Sequence, residues 1–513
     1  MDRSSALVAL GIFCSRLTGF IRQRVFAHYF GLQSDSADAF MAAFRIPNFL
    51  QNLFGEGALS ASFIPVYASL VARDERQQAE KLAGAVFALL ATVTAVLVAA
   101  GVAATPLLVA LIAPGFRGDK RDLTISIVRI LFPGAGLLVL SAWCLGILNS
   151  HRRFLLSYIA PVIWNVSMIV TLLWWGGIAP LPRLAVILAW GAVAGSTLQM
   201  LVQLPSVLRL VPGLRPRLEW SSDVRTIVAN FAPVFVSRGV VQISAYIDGM
   251  IASLLPTGAV TGLASAQLLY TLPVSLFGLS VSAAALPAMS GAASVEALDV
   301  VRERVNTGLK QIAFFVVPSA MAFFALGDVV AAALFQTGRF SYRDAVYVWA
   351  ILAGSAIGLL ATTLGRLYSS SYYALRETRT PLRYAMVHVA IATLLGYIAA
   401  IFAPPWLGID PMWGTVGLTA AASLGGWVEL ILLRRRLNTR IGHTGIPVAV
   451  SVRLWTAAAV AAAVAWAVKL AMPPLHPIAS AALILGAFGA VYLGLTMVFG
   501  VMDEKIRRRV FRR

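Results

Sequence analysis

Charged residues are scarce in this 513-residue sequence. Asp, Glu, Lys and Arg together make up 12% of the chain, whereas soluble globular domains average about 25%. Hydrophobic residues make up 59%, and the mean hydropathy is +0.82. This composition leaves no room for a separate soluble domain and predicts an all-α polytopic membrane protein.

The sequence also lacks the motifs of common enzyme and metal sites. It contains no Walker loop and no G-x-S-x-G pattern, and its five histidines are scattered without metal-ligand spacing. Its two cysteines, Cys14 and Cys144, lie in apolar segments and are predicted to be buried thiols rather than a disulfide. We therefore predict a transporter rather than an enzyme, with no cofactor and no metal.

Long apolar runs fill most of the chain. About fourteen are long enough to cross a bilayer, which takes about 20 residues each. If the N-terminus is cytoplasmic, most loop arginines and lysines fall on the inside, as the positive-inside rule requires. This pattern predicts two cytoplasmic termini and explains the net charge of +19 without nucleic acid. The first run is interrupted by arginines and has no small-residue cleavage site after it, so we expect it to be retained.

Three short patterns recur in the same order after about 222 residues: Ser15-Arg16 as Ser237-Arg238, Pro65 as Pro287, and Gly115-Phe116-Arg117 as Gly338-Arg339-Phe340. Because this offset covers six segments, the halves share one orientation, which predicts a parallel repeat that binds substrate between its halves. We predict an N-terminal lobe at 1–210, a C-terminal lobe at 222–436, two more helices within 445–502, and a basic cytoplasmic tail at 503–513.

Several arginines lie inside or beside the apolar runs, most of them in the first two. A charge at the centre of a bilayer costs about 3 kcal/mol, so such residues usually face a cavity and serve a function. Guanidinium groups bind phosphate oxygens in a planar, bidentate manner. We predict a cationic pocket for an anion that crosses the membrane. The predicted substrate-binding residues are Arg16, Arg22, Arg45, Arg238, Ser15 and Asn48.

Acidic residues accompany these arginines. Asp38 and Glu56 are expected to pair with arginines of the same two segments and to hold their guanidinium groups in place. The alternative is that such pairs only lock two helices together, but the arginines outnumber the nearby acids. Arg24 could instead extend its head group to the interface, and Arg129 and Arg366 are weaker candidates for the same reason.

Specific motifs carry a resemblance to a known family. They are Ser15-Arg16-x-x-Gly19-Phe20-x-Arg22, Asp38-Ala39-Phe40-x-x-Ala43-Phe44-Arg45-Ile46-Pro47-Asn48, and Gly55-Glu56-Gly57-Ala58-Leu59-Ser60-x-x-Phe63-Ile64-Pro65. Together with Tyr372-Tyr373-Ala374-Leu375-x-x-Thr378-Arg379-Thr380-Pro381, they resemble the MurJ (MviN) lipid II flippases, which belong to the multidrug/oligosaccharidyl-lipid/polysaccharide exporter superfamily. The likeness spans nearly the full chain.

The resemblance implies fourteen helices, two pseudo-symmetric six-helix lobes around a cationic cavity, and a lipid-tail groove on the last two helices. It implies a bacterial inner-membrane protein that moves lipid II, the lipid-linked peptidoglycan precursor, to the outer leaflet by alternating access, with cell-wall synthases as candidate partners. Arg16 and Arg22 match family arginines thought to meet the pyrophosphate, and Asp38 and Glu56 match cavity acids.

The sequence departs from the family at two positions. Gln51 and Leu268 stand where the family often carries arginines, and Arg238 is a candidate replacement. Alternatively, the substrate is another polyprenyl-diphosphate-linked oligosaccharide. A cation-coupled drug exporter of the same superfamily should carry acids rather than excess arginines in its cavity. A purely structural role would leave the arginines within the apolar runs unexplained.

Overall fold

The computed structural model describes residues 3–54, 56–473 and 475–501; the side chains at 3–9, 56–58, 60–61 and 232–245 are outside the described set. These residues form helices α1 Arg3–Phe30, α2 Asp35–Phe54, α3 Glu56–Ala72, α4 Arg76–Ala103, α5 Thr105–Ile112, α6 Gly118–Ser150, α7 Phe154–Trp175, α8 Leu181–Leu210, α9 Ser222–Ser253, α10 Ala259–Pro273, α11 Ser280–Ser294, α12 Leu298–Phe335, α13 Tyr342–Ala374, α14 Arg379–Tyr397, α15 Ala403–Leu407, α16 Gly414–Ile441, α17 Val448–Ala471 and α18 Pro477–Val498. Turns of π-helix, Val274–Leu279 and Ile398–Phe402, follow α10 and α14.

The all-α prediction is confirmed, and the helices are long because apolar spans must satisfy every backbone group internally. Some ends carry recognisable capping signals. At the start of α13, the Ser341 hydroxyl accepts a hydrogen bond from the Asp344 amide, while the Asp344 carboxylate accepts one from the Ser341 amide. This reciprocal capping box satisfies two amides that the helix itself leaves unpaired.

Eleven helical stretches among the described residues are long and apolar enough to cross a membrane. The sequence predicted about fourteen spans. Three predicted spans are not among the eleven: 5–28, 35–71 and 224–254. They coincide with α1, with α2 and α3 together, and with α9, respectively, so these segments are helical too. A multi-pass membrane protein is therefore established, and the number fourteen stays a prediction.

The helix boundaries repeat at the offset found in the sequence. Helix α3 ends at Ala72 and α11 at Ser294, 222 residues later. Helix α4 begins at Arg76 and α12 at Leu298, again 222 residues later. The recurring sequence patterns therefore accompany a recurrence of whole helices, which is typical of an internal duplication.

The described chain packs into two compact units. The first extends to Val260 and includes Thr337–Phe340; the second comprises Thr261–Gln336 and the described residues from Ser341 onward. In the first unit, α6 lies at the centre of packing, and its Trp143 and Cys144 side chains are fully buried. Both cysteines are free, as predicted, but Cys14 is half-buried rather than buried. In the second unit, α13 packs extensively on α12 and α16.

Candidate functional site

The candidate site lies in the first unit, where α1 and α2 carry most of the predicted residues. Pro47 lies inside α2 and cannot donate a backbone hydrogen bond, and α2 ends at Phe54, just before the glycine at position 55. Breaks of this kind are tolerated in membrane helices where the segment lines a cavity or is buried in protein. Asn48, next to Pro47, lines a small cavity with Phe44, Trp164 and Ser196.

The Arg22 guanidinium lies between aromatic rings. Its Cζ atom is 5.3 Å from the centroid of Phe44 and 5.0 Å from that of Trp164, and these two rings stack at 5.6 Å. One guanidinium nitrogen contacts the sulfur of Met168 at 3.6 Å. Within the part of the chain that the structure describes, no carboxylate forms an ion pair with Arg22. The rings stabilise the cation without neutralising its charge.

Arg16 lies about two turns earlier on α1, and its side chain is exposed. Among the described residues, no acidic side chain lies within ion-pair distance of it. The adjacent Ser15 is half-buried, and its carbonyl accepts a hydrogen bond from the Thr18 hydroxyl at 3.1 Å. Arg16 and Arg22 therefore share α1 and both lack a carboxylate partner in the described set.

Arg45 reaches from α2 toward α9. Its carbonyl accepts a hydrogen bond from the Tyr246 hydroxyl at 2.5 Å, and its guanidinium interacts electrostatically with Asp248. Gly249 leaves room for this side chain, because a Cβ atom there would lie 2.0 Å from an Arg45 guanidinium nitrogen. Arg45 is therefore held against α9, in contrast to Arg16.

Asp38 is buried, with 1% of its surface exposed, and it forms an ion pair with Lys120 at 2.9 Å. The same carboxylate oxygen accepts a hydrogen bond from the Gly258 amide at 2.9 Å. Lys120 also pairs with Asp35 at 3.1 Å and lies over the Phe116 ring at 4.5 Å. This pair joins the starts of α2 and α6. The expected pairing of Asp38 with an arginine stays a prediction.

Two predicted site residues lie outside the described side chains. The backbones of Glu56 and Arg238 belong to α3 and α9, but their side chains are not described. The expectation that they contribute to the cavity therefore stays open. Arg129 and Arg366, the weaker candidates, both have exposed side chains.

Three residues of this site were not predicted from the sequence. They are Trp164 and Phe44, whose rings contact Arg22, and Lys120, which pairs with Asp38. Phe44 lies beside Arg45 and one turn after Phe40 in the sequence, but the cation it contacts is Arg22 on α1, so no local spacing pointed to this contact. Trp164 and Lys120 gave no local signal, because their partners lie on distant segments.

The two arginines of α1 suit an anionic ligand. Arg16 and Arg22 present guanidinium groups without acid partners in the described set, and polar groups such as Asn48 lie on the neighbouring helix. Phosphate oxygens are suitable ligands for such groups. The fold therefore defines a multi-pass membrane protein that carries a candidate anion site.

Comparison with known proteins gives the family. A sequence profile described as "Lipid II flippase MurJ" matches residues 26–485. "Lipid II flippase MurJ" of Burkholderia cenocepacia is 31% identical over 96% of this chain and 96% of that protein. "Probable lipid II flippase MurJ" of Rhizobium meliloti is 31% identical over 97% of this chain and 94% of that protein. The chain belongs to the MurJ family.

Solved structures show the same fold. "Lipid II flippase MurJ, inward closed conformation" superimposes with a TM-score of 0.78 at 22% identity, covering 99% of this chain and all of that one. An inward-facing multidrug resistance MATE family transporter of the MOP superfamily gives 0.68 at 16% identity, covering 83% and 95%. The predicted family and superfamily fold are confirmed, and the chain is a multi-pass inner-membrane transporter rather than an enzyme.

Proposed function

We propose that this chain moves lipid II, the lipid-linked peptidoglycan precursor, from the inner to the outer leaflet of the cytoplasmic membrane by alternating access. The observation that carries the proposal is membership of the MurJ family over nearly the full chain, in which relatives at 31% identity are named lipid II flippases. The cationic site on α1 and α2 supports it, because lipid II carries a pyrophosphate.

In this proposal, Arg16 and Arg22 bind the pyrophosphate, with Arg45, Arg238, Ser15 and Asn48 completing the substrate site. Arg22 is supported by its position between two rings, which fixes the guanidinium without neutralising it. The role of Arg45 is supported by its contacts with α9, because a movement of α9 would also move this side chain. Asp38 and Glu56 act as acids that hold basic side chains in place.

The proposal includes a topology. Both termini are cytoplasmic, two lobes at 1–210 and 222–436 alternate around the substrate, and the two helices within 445–502 hold the lipid tail. The loop charges and the 222-residue recurrence of helix boundaries support this arrangement. Cell-wall synthases would receive lipid II at the outer leaflet.

A second candidate substrate is another polyprenyl-diphosphate-linked oligosaccharide. Gln51 and Leu268 favour it, because they replace two cations that the resemblance leads one to expect. Fewer cations would suit a head group with different charge or size, while the diphosphate would still need Arg16 and Arg22. The likeness to MATE transporters is one of fold, at 16% identity, and does not by itself favour a drug substrate.

The test reconstitutes the full chain in proteoliposomes with fluorescent lipid II or with a polyprenyl-diphosphate-linked sugar that lacks the peptide. Wild type should move lipid II between leaflets, and Arg16→Ala should slow it by about tenfold, because a hydrogen bond to a charged group contributes about 1.5–3 kcal/mol. Arg217→Ala, at an exposed position between α8 and α9, is the matched control and should keep wild-type rates.

Faster movement of the peptide-free lipid would favour the second candidate. Movement of neither lipid, by folded protein in vesicles that retain both, would contradict the proposed function. Equal rates for Arg16→Ala and Arg217→Ala would remove Arg16 from the substrate site.

A further inference from the structure

A second intramembrane polar site lies in the second unit, between α14 and α16. His388 of α14 and Glu429 of α16 form a hydrogen bond at 2.6 Å between Nδ1 and a carboxylate oxygen. Both side chains are mostly covered, with 26% and 20% exposed. Each lies near the middle of a helix long and apolar enough to cross the membrane. Neither belongs to the arginine site.

Two ionisable groups at this depth are costly unless they compensate each other. One proton shared between imidazole and carboxylate gives a pair with no net charge. A second proton makes the pair a cation, and loss of the shared proton makes it an anion. Among the described residues, no lysine or arginine forms an ion pair with Glu429, so His388 is the basic side chain that this carboxylate meets.

Two glycines on α16 leave room for the imidazole ring of His388. A Cβ atom at Gly425 would lie 2.6 Å from the imidazole Cδ2 and 3.0 Å from the His388 carbonyl oxygen. Gly425 and Gly426 are both buried, so the ring lies against two residues without side chains. The close approach holds the imidazole within reach of Glu429, one turn farther along α16.

Further polar groups lie near this pair within the second unit. A Cβ atom at Gly426 would lie 3.3 Å from the Thr362 hydroxyl and 3.9 Å from the imidazole Cε1, so this glycine separates the two groups. Tyr270 of α10 interacts with Thr362 and Arg366 of α13. Arg366 is exposed. These contacts place polar groups of α10 and α13 in the region beside the α14–α16 pair.

Other titratable groups also face the pair or share its helices. Tyr373 of α13 interacts electrostatically with Glu429. Tyr384 lies one turn before His388 on α14, and Arg436 lies two turns after Glu429 on α16. Histidine is the side chain that ordinarily changes charge near neutral pH, whereas tyrosine and arginine do not.

We propose that His388 and Glu429 form a proton-binding site and that its protonation state controls the transport rate. The proposed ligand is a proton, which an imidazole and a carboxylate at hydrogen-bond distance can bind between them. A proton entering from water binds the imidazole, which then pairs as an imidazolium with the Glu429 carboxylate, and the same proton leaves on return. The site itself is independent of the cargo, whereas its link to transport rests on the proposed function.

The first experiment measures proton binding directly. Infrared difference spectra of the full chain in nanodiscs, between about pH 5 and pH 8, report changes at imidazole rings and at the carboxylates hydrogen-bonded to them, in the range where imidazoles ordinarily titrate. The wild-type spectrum should contain a carboxylate band that is absent in both Glu429→Gln and His388→Gln. His443→Gln, which removes an exposed loop histidine, should leave the band unchanged. A band that persists in Glu429→Gln overturns the site.

The second experiment measures lipid II movement in proteoliposomes across the same pH range. A step linked to one proton changes the wild-type rate by up to about tenfold per pH unit. His388→Gln and Glu429→Gln should flatten the profile, while His443→Gln should follow wild type. If both variants lose thermal stability but keep the wild-type profile, the pair is only a structural contact between α14 and α16. A wild type that shows the infrared band but moves no lipid II contradicts the proposed function and not the proton site.

Discussion

Arg22 and Lys469 are two basic residues that both lie over aromatic rings, but only Lys469 also has a carboxylate partner among the described residues. Arg22, in the first unit, lies over Phe44 and Trp164 and has no carboxylate partner among the described residues. Lys469, in the second unit, lies over Trp466 at 4.5 Å but also pairs with the buried Asp328 at 2.5 Å. Aromatic rings accompany both cations, and the carboxylate accompanies one.

The difference separates two uses of a buried charge. Asp328 also accepts a hydrogen bond from the Tyr342 hydroxyl at 2.7 Å, so the Lys469 pair joins α12, α13 and α17. A compensated pair of this kind holds helices together and leaves no charge for a ligand. The Arg22 charge is not compensated by a carboxylate in this way, which supports its proposed role in binding a substrate anion. The comparison predicts stability effects at Lys469 and transport effects at Arg22.

The largest expected effect is on stability, for Lys469→Met. Removing one partner of a buried ion pair leaves an uncompensated charge, here on Asp328, and costs about 3 kcal/mol. The measurement is chemical unfolding of the full chain in detergent. The double variant Asp328→Asn with Lys469→Met should recover most of the loss. If the double variant is as unstable as Lys469→Met alone, the charge pair is not the cause.

The next effect is on transport, for Arg22→Ala. Loss of charge-assisted hydrogen bonds to a pyrophosphate should slow lipid II movement in proteoliposomes by about 10- to 100-fold, with unfolding stability changed by less than about 1 kcal/mol. Arg22→Lys should recover part of the rate, because an ammonium keeps the charge without the bidentate fork. Arg183→Ala, at an exposed position, serves as control. A large stability loss with an unchanged rate would make Arg22 structural, like Lys469.

Most of the helical framework was predictable from sequence, because apolar runs in a bilayer have few alternatives to helix. The 222-residue recurrence was also visible, since Pro65 and Pro287 hold matching positions in α3 and α11. The candidate arginines were visible because a charge stands out in an apolar run. All of these signals are local in the chain.

The partners of the charges were not predictable in the same way. Lys120 pairs with Asp38 across 82 positions, and Lys469 with Asp328 across 141. Which acid meets which base depends on how helices pack, and sequence distance does not report this. The sequence therefore located the charged positions well and left their pairing to the structure. The pairing is what distinguishes Arg22 from Lys469.

The smallest predicted effect concerns Arg45, which lies between these two extremes because its charge interacts with Asp248. Gly249→Ala would place a Cβ atom 2.0 Å from an Arg45 guanidinium nitrogen, so the flexible side chain must move. Because the end of a long side chain can shift at modest cost, we expect transport to slow by about three- to tenfold, or about 0.7–1.4 kcal/mol. The unfolding free energy should change little.

The matched control for this variant is Gly291→Ala in α11, where no atom lies within 4 Å of the added methyl group. Lipid II movement in proteoliposomes is measured for both variants and for Arg45→Ala. If Gly249→Ala acts through Arg45, adding it to Arg45→Ala should cause no further loss, because the displaced group is already absent. An additive loss would show that Gly249 acts on α9 independently, and Arg45 would then resemble Lys469 more than Arg22.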